Sequence, residues 1–344
     1  MSVLRYVGPF LFALSIPVFY QLSPAAPFAT VALLLLALIG AEAISPRGAV
    51  PFAAPETHVF RWLPNIYVPV QLGVVTWAIA VAPHTTGTGF AALALSVGVT
   101  TGVFGMLAAH ELVHGHSKTE HALGLAMLTG MTYRHFRVAH IFGHHRWAAT
   151  DRDPATARLG EGFYAFLVRT VTGQFIDAWR IESTRIAARH RSRLRHRIAG
   201  DVTAMAVVYI AIGALAGWRG TALFAAQSAV GIIVLELFNY IAHYGLLRVE
   251  LSPGRYEPLA DRHSWNSSNV LVNLLIFNMG RHSYHHSKPS ISYQDLQYVA
   301  AAPELPAGYA GSILMALVPP LWRRVMDPRA RHFCEPAPLA LAAE

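Results

Sequence analysis

The sequence predicts an all-α integral membrane protein of six transmembrane helices with a histidine-rich cap on the cytosolic side. Three observations predict it. Of 344 residues, 54% are hydrophobic and only 13% charged, where a soluble domain carries roughly a quarter charged residues, and mean hydropathy is +0.38. Apolar stretches of bilayer-spanning length recur along the chain, and 18 histidines stand out against that charge-poor background. A soluble globular enzyme, a collagen-like fibre and a disordered chain are excluded on composition. Cys334 is the single cysteine, so an internal disulfide and a cysteine-based zinc or iron–sulfur site are excluded too.

The six spans fall at about residues 5–22, 25–45, 62–82, 88–109, 202–217 and 222–242, each near the roughly 17–25 residues that a helix needs to cross a bilayer. The first is not a cleavable signal: Arg5 alone makes a weak basic start, no small-x-small site follows, and a second span begins almost at once. With a cytosolic N-terminus the three external loops are 23–24, 83–87 and 218–221, and of the 27 Lys and Arg they hold only Arg219. That asymmetry places both termini and two long segments, 110–201 and 243–344, in the cytosol, and residues 1–344 form a single membrane-embedded domain. The basic balance, pI near 9.8, is then topological, and no nucleic-acid-binding signature accompanies it. The densest run, Arg180 to Arg197, has arginine at 180, 185, 189, 191, 193, 195 and 197 against Glu182. It reads as a solvated helix facing lipid headgroups, or as a docking surface for an acidic partner.

Histidine concentrates in four places: His110 and His114 at the end of the fourth span, His140 with His144 and His145, His243 at the end of the sixth, and His282 with His285 and His286. Because i,i+3 and i,i+4 side chains share a helix face, the pairs His110/His114 and His140/His144 and the trio His282/His285/His286 each present imidazoles together. All nine fall at one cytosolic depth, where histidine beside an apolar span is costly unless paired or ligating. Metal binding is the common explanation. His58, His84, His190, His196 and His332 read as ordinary core or surface residues, and His116, His121 and His135 as surface residues. Imidazole suits iron, zinc, copper and nickel alike; nine ligands exceed one tetrahedral zinc and favour a dinuclear iron site. Two other classes compete. His110-Glu-Leu-Val-His114 is formally the H-E-x-x-H zinc metalloprotease signature, but a protease leaves the other clusters unemployed. Histidine-rich cation transporters place their ligands at mid-bilayer, whereas these sit at span ends.

The motifs H-E-L-V-H at 110–114, H-I-F-G-H-H with D-R-D-P-A-T-A-R-L-G-E at 140–161, N-Y-I-A-H-Y-G-L-L-R at 239–248 and R-H-S-Y-H-H at 281–286 resemble those of the membrane alkane 1-monooxygenases, in the superfamily of integral-membrane fatty-acid desaturases and hydroxylases. G-R-Y-E at 254–257, H-S-W-N at 263–266, L-P-A-G-Y at 305–309 and P-P-L-W-R-R-V-M-D-P at 319–328 extend the resemblance over about residues 105–330. It implies six spans and O2-dependent hydroxylation of a terminal methyl at a histidine-ligated pair of iron ions on the cytosolic face of a bacterial inner membrane. The implied ligands are His110, His114, His140, His144, His145, His243, His282, His285 and His286, the set that spacing selects by itself. Glu111 and His263 are read as bracing those ligands, and Asp153 and Glu161 either as braces or as helix-capping or surface-pair residues. The family usually has an acid before the single-histidine box, where Ala242 stands, and an aspartate within the last box, where Tyr284 stands. Carboxylates there orient the imidazole, so rate, redox potential or substrate is expected to differ from typical members.

An alkane C–H bond is inert to acid–base chemistry, so a metal must activate O2 while the protein supplies placement and electrostatics. A linear apolar substrate dissolved in the bilayer would enter head-first. Gly98, Gly102 and Gly105 along the fourth span read chiefly as close helix packing, or as room for the chain. The sequence holds no flavin or NAD fingerprint and no four-cysteine site, so electrons come from outside. The resemblance implies rubredoxin and its NAD(P)H-dependent reductase, docking on the 180–197 arginines or on Arg323, Arg324, Arg329 and Arg331. Oxygenation of alkylaromatic methyl groups and fatty-acid desaturation are the neighbouring readings.

Overall fold

The computed structural model describes residues 6–48, 59–190 and 192–334. Arg5, His58, Arg191 and the stretch past Cys334 lie outside the described residues. The chain is helical almost throughout. Helices α1 (Gly8–Leu22) and α2 (Phe28–Ile44) are apolar and short, α3 runs Val59–Val81 and α4 Gly87–Val113. Beyond them come α5 (Lys118–Gly130), α6 (Phe163–Ala188), α7 (Arg197–His243), α8 (Val270–Leu275), α9 (His282–Ser287), α10 (Gly308–Ala316) and α11 (Pro319–Cys334). A hairpin of β1 (Glu250–Ser252) and β2 (Arg255–Tyr256) forms the one sheet among the described residues.

Three helical stretches, Phe60–His84, Gly87–Val113 and Arg197–His243, are long and apolar enough to cross a membrane. Leu11, Leu14, Leu33, Leu36, Ile210 and Leu215 point outward from α1, α2 and α7, an apolar exterior that only lipid accommodates. The chain is an integral membrane protein.

The 47-residue α7 is two antiparallel arms. Gly217 breaks it with φ 64° and ψ −169°, and Tyr209 of one arm meets Phe224 of the other at 5.2 Å. The sequence places a four-residue loop at 218–221; the structure turns in one glycine and runs helix through Arg219, whose guanidinium donates to the Pro83 carbonyl at 2.9 Å. An added Cβ at Gly217 would meet nothing within 4 Å, so a substitution there meets backbone strain alone. Gly217→Ala is expected to cost about 1–3 kcal/mol, since this φ/ψ region is nearly exclusive to glycine. Thermal melting in detergent measures it, and an unchanged melting temperature would mean that the turn relaxes.

The segment 110–201, read as wholly outside the bilayer, packs partly against the apolar helices. After a capping box at Ser117 and Glu120, α5 runs back along α4: Gly124 faces Leu112 and Ala109, Gly105 faces Met127, and Gly130 abuts Leu72 of α3. The chain returns past Ser228 and Glu236 of α7, bonded by Thr132 and Tyr133. Charge in α5 ends at Glu120, and the apolar remainder is too short to register as a span.

The arginine run is partly spent inside the fold. Arg185 and Arg197 close on the buried Glu182, clamping the end of α6 to the start of α7.

Candidate metal centre

Four elements deliver the nine histidines. At the foot of α4, His110 and His114 stand one turn apart. Above them α4 widens into a π-turn, Thr101–Gly105, where Gln71 of α3 donates to Thr101 Oγ1 at 2.8 Å and accepts from Tyr67 at 2.7 Å. Residues 136–147 form a second helical stretch, and its middle, Ala139–His144, is again a π-helix. His243 ends α7, where Trp265 N–H caps the Ala242 carbonyl at 2.8 Å and Trp265 Nε1 donates to the Tyr244 carbonyl at 2.9 Å. The six-residue α9 carries the last three, held by Ser283 N–H on Asn266 Oδ1 at 2.9 Å.

The imidazoles gather as two groups: His110, His114, His140, His145 and His285, and then His144, His243, His282 and His286, the candidate nitrogens of each lying within 4.8 Å of one another. His140 and His144 do share a face, their rings stacked at 5.2 Å, yet they fall in different groups. The π-helix also brings i,i+5 into line, so His140 pairs with His145 while His144 turns to the second group. Likewise His282 and His286, at i,i+4, stay together and His285 joins the first group.

Within the first group the Nε2 atoms of His114, His140 and His145 are 3.0–3.1 Å apart. In the second, His282 Nε2 is 3.0 Å from His243 and 3.1 Å from His286, and His144 is 3.3 Å from His286. Three mutually close imidazole nitrogens cannot all hydrogen-bond, because each carries either a proton or a lone pair. His110 Nε2 and His285 Nε2 are buried without any hydrogen-bond partner. Two nitrogens about 2.1 Å from one cation and at right angles are about 3.0 Å apart, which is the separation seen. The donor set therefore fits two metal ions, one site offering five nitrogens, more than a tetrahedral zinc accepts, and the other four. Burial and the neighbouring His114 and His144 push the His145 pKa from 6.5 to about 2, and burial with His144 nearby pushes that of His282 to about 3. Both stay in the neutral form that ligates.

Asp153 lies where a brace belongs. Its Oδ2 receives His144 Nδ1 at 2.8 Å and Thr156 Oγ1 at 2.7 Å, which fixes the His144 tautomer with Nε2 free to ligate. Asp153→Asn is expected to lower metal affinity or turnover roughly 10- to 100-fold with the fold intact, read by metal titration and melting on the same sample. Affinity and turnover both at wild-type level would remove Asp153 from the centre.

The other proposed braces make different contacts. Glu111 accepts from Tyr293 N–H at 3.2 Å and lines a polar pocket with Arg61, His114 and His116. His263 bonds Glu257 at 3.2 Å and accepts from Ala260 N–H at 2.9 Å, stiffening the loop after the hairpin. Glu161 takes Arg169 in a bidentate pair, both bonds 2.7 Å. His135, read as a surface residue, is packed between Tyr133 and Phe175 with its Nε2 buried; its neighbours in sequence gave no sign of the returning limb that encloses it.

A narrow apolar cavity of about 60 Å³ abuts both groups. His110 and His140 line it on one side and His282 on the other, with Met106, Phe136, Leu235, Phe238, Met279 and Tyr309 between them. Ala242 is part of this wall, so the position usually acidic in the family adds apolar surface here. Tyr284 turns away, its hydroxyl and ring both against Lys288. Sequence reading missed Glu236 and Asn239 on α7, since a lone acid or amide in a span carries no periodic signal.

A membrane-embedded helical fold with paired imidazole clusters against a hydrocarbon-lined cavity defines a histidine-rich membrane metalloenzyme. The model of the fatty acid desaturase family matches residues 86–314. The chain is 36% identical to alkane 1-monooxygenase 2 of Pseudomonas aeruginosa over 306 residues, 87% of this chain and 81% of that protein. It is also 36% identical to the alkane 1-monooxygenase of Ectopseudomonas oleovorans over 301 residues, 86% of this chain and 75% of that one. A hydroxylase component of xylene/toluene monooxygenase from Pseudomonas putida is 26% identical over 300 residues, 85% of this chain and 78% of its own. The chain belongs to the fatty acid desaturase family and, within it, to the alkane 1-monooxygenases; it is a monooxygenase.

Proposed function

We propose that this enzyme hydroxylates the terminal methyl of linear alkanes to 1-alkanols, using O2 and two iron ions, with electrons from rubredoxin and its NAD(P)H-dependent reductase. The observation that carries the reading is the apolar cavity abutting two groups of clustered imidazoles. The nine histidines would hold the ions, five and four. When bound, iron supplies the redox activation of O2 that an unactivated C–H bond requires. The chain does the rest: Asp153 orients His144, Phe136 stacks on His140 at 4.6 Å, and Met106, Leu235, Phe238 and Met279 exclude water and admit a methyl end. Two electrons and two protons accompany each O2, giving one alkanol and one water.

In this reading the protein is one domain of six spans, α7 contributing two, in a bacterial cytoplasmic membrane with both termini and the centre cytosolic. Greater identity to the alkane enzymes than to the xylene/toluene component supports alkane over alkylaromatic substrates. Metal analysis of detergent-purified protein, with octane and hexadecane, O2, rubredoxin, reductase and NADH, tests it. Two irons per chain and a 1-alkanol are expected. One zinc and no oxygen-dependent product would sink it and restore the metalloprotease reading, while two irons with product only from xylenes or acyl substrates would move the substrate class.

A further inference from the structure

We infer that the Asn239 carboxamide is a hydroxyl-binding subsite inside the apolar cavity, holding the alcohol group that the reaction forms, with Glu236 fixing its orientation. The inference rests on the alkane-hydroxylating reading above. Glu236 is fully buried in the second arm of α7, seven residues before His243. Its carboxylate accepts four hydrogen bonds: Tyr133 Oη and Gln174 Nε2 on Oε1, both at 2.8 Å, with Thr170 Oγ1 at 3.0 Å and Asn239 Nδ2 at 3.1 Å on Oε2. None of the four donors is cationic. An acid inside an apolar span is expensive and needs a role. Bracing explains three of the bonds, since Tyr133 belongs to the limb carrying His140 and Thr170 and Gln174 to α6.

The fourth bond reaches the cavity. A carboxylate accepts and does not donate, so the Asn239 NH2 group must face Glu236 and Oδ1 must face away. Asn239 lines the cavity with His110, His140 and His282, and among the described residues its Oδ1 has no partner. The other non-histidine walls are apolar, apart from Tyr309, whose hydroxyl donates to the Met279 carbonyl at 3.5 Å. A neutral residue in place of Glu236 would let the amide flip; a carboxylate holds an acceptor toward the hydrocarbon. An alkane cannot use that acceptor. The 1-alkanol can, because its new O–H donates to Oδ1, so Asn239 lets the cavity discriminate product from substrate.

The test uses the full-length protein in detergent, comparing wild type with Asn239→Leu, similar in size but apolar, and Glu236→Gln, which keeps shape and lets the amide turn. KM for dodecane and the inhibition constant for 1-dodecanol are measured on iron-loaded enzyme, and retention of radiolabelled 1-dodecanol against dodecane on metal-free protein. Asn239→Leu is expected to weaken 1-dodecanol about five- to tenfold, the worth of one hydrogen bond in a dry site, with dodecane changed less than about twofold. Glu236→Gln should move in the same direction by a smaller factor. Constants that shift together, or a 1-dodecanol constant that stays put in a folded Asn239→Leu protein, would overturn the subsite. If that variant fails to fold, an unchanged alcohol preference in Glu236→Gln overturns it. A wild type that makes no alkanol defeats the functional reading instead, and the metal-free retention assay still decides the subsite.

Discussion

His144→Ala and His285→Ala are each expected to abolish hydroxylation while removing metal from different groups. His285 is one of five nitrogens in the first group and His144 one of four in the second, so His144→Ala leaves three imidazoles where four stood. We expect that variant to keep about one iron per chain at the five-nitrogen group, with a lowered melting temperature because ligand binding stabilises the fold. His285→Ala leaves four nitrogens in its group and should retain weakened binding there with the second group filled. Metal analysis with Mössbauer spectroscopy on iron-57-loaded protein separates the two environments. Full activity in either variant ends the ligand assignment. Loss of both irons in both variants would mean that the groups fill only together, a coupling that α9 makes physically reasonable because it supplies ligands to each.

The division into two groups marks how far the sequence could be read. Apolar runs locate α1 to α4 and both arms of α7 because each side chain contributes independently to transfer into lipid, and histidines spaced three or four apart, with His145 beside His144 and the single His243 at the end of the sixth run, pick out the nine imidazoles. Which imidazole joins which group depends on the π-helix at Ala139–His144. A π-turn is a tertiary outcome, one inserted residue accommodated by packing, and no residue in A-H-I-F-G-H announces it. The same limit hides the α5 limb, whose apolar part is too short for a span yet long enough to lie beside α4. It hides Glu236 as well: hydropathy marks an acid in a span as a cost, and only the fold shows Tyr133, Thr170, Gln174 and Asn239 converging on it from three elements.

Gly102 shows two readings of one residue converging. The sequence offers it either as a packing glycine or as room for an acyl chain, and the structure gives it both positions at once. A Cβ there would lie 2.7 Å from the Gly231 carbonyl oxygen and 2.8 Å from Val234 Cβ, while the residue also lines the cavity. Backbone on the far side cannot step aside as a flexible side chain would, so Gly102→Ala must push α4 away from the second arm of α7. Those helices carry His110 and His114 on one side and His243 on the other, which makes the crossing a setting for the distance between the two groups. The expected result is a loss of about 1–3 kcal/mol, the usual cost of overpacking, together with reduced turnover on every alkane. Met279→Trp, on the cavity wall but outside both of these helices, should instead leave the short alkanes and lose the long ones. A chain-length profile from octane to hexadecane, with melting temperatures, tells the two apart. If Gly102→Ala melts like wild type and only shortens the preferred alkane, the glycine serves as channel space and the helix spacing is set elsewhere.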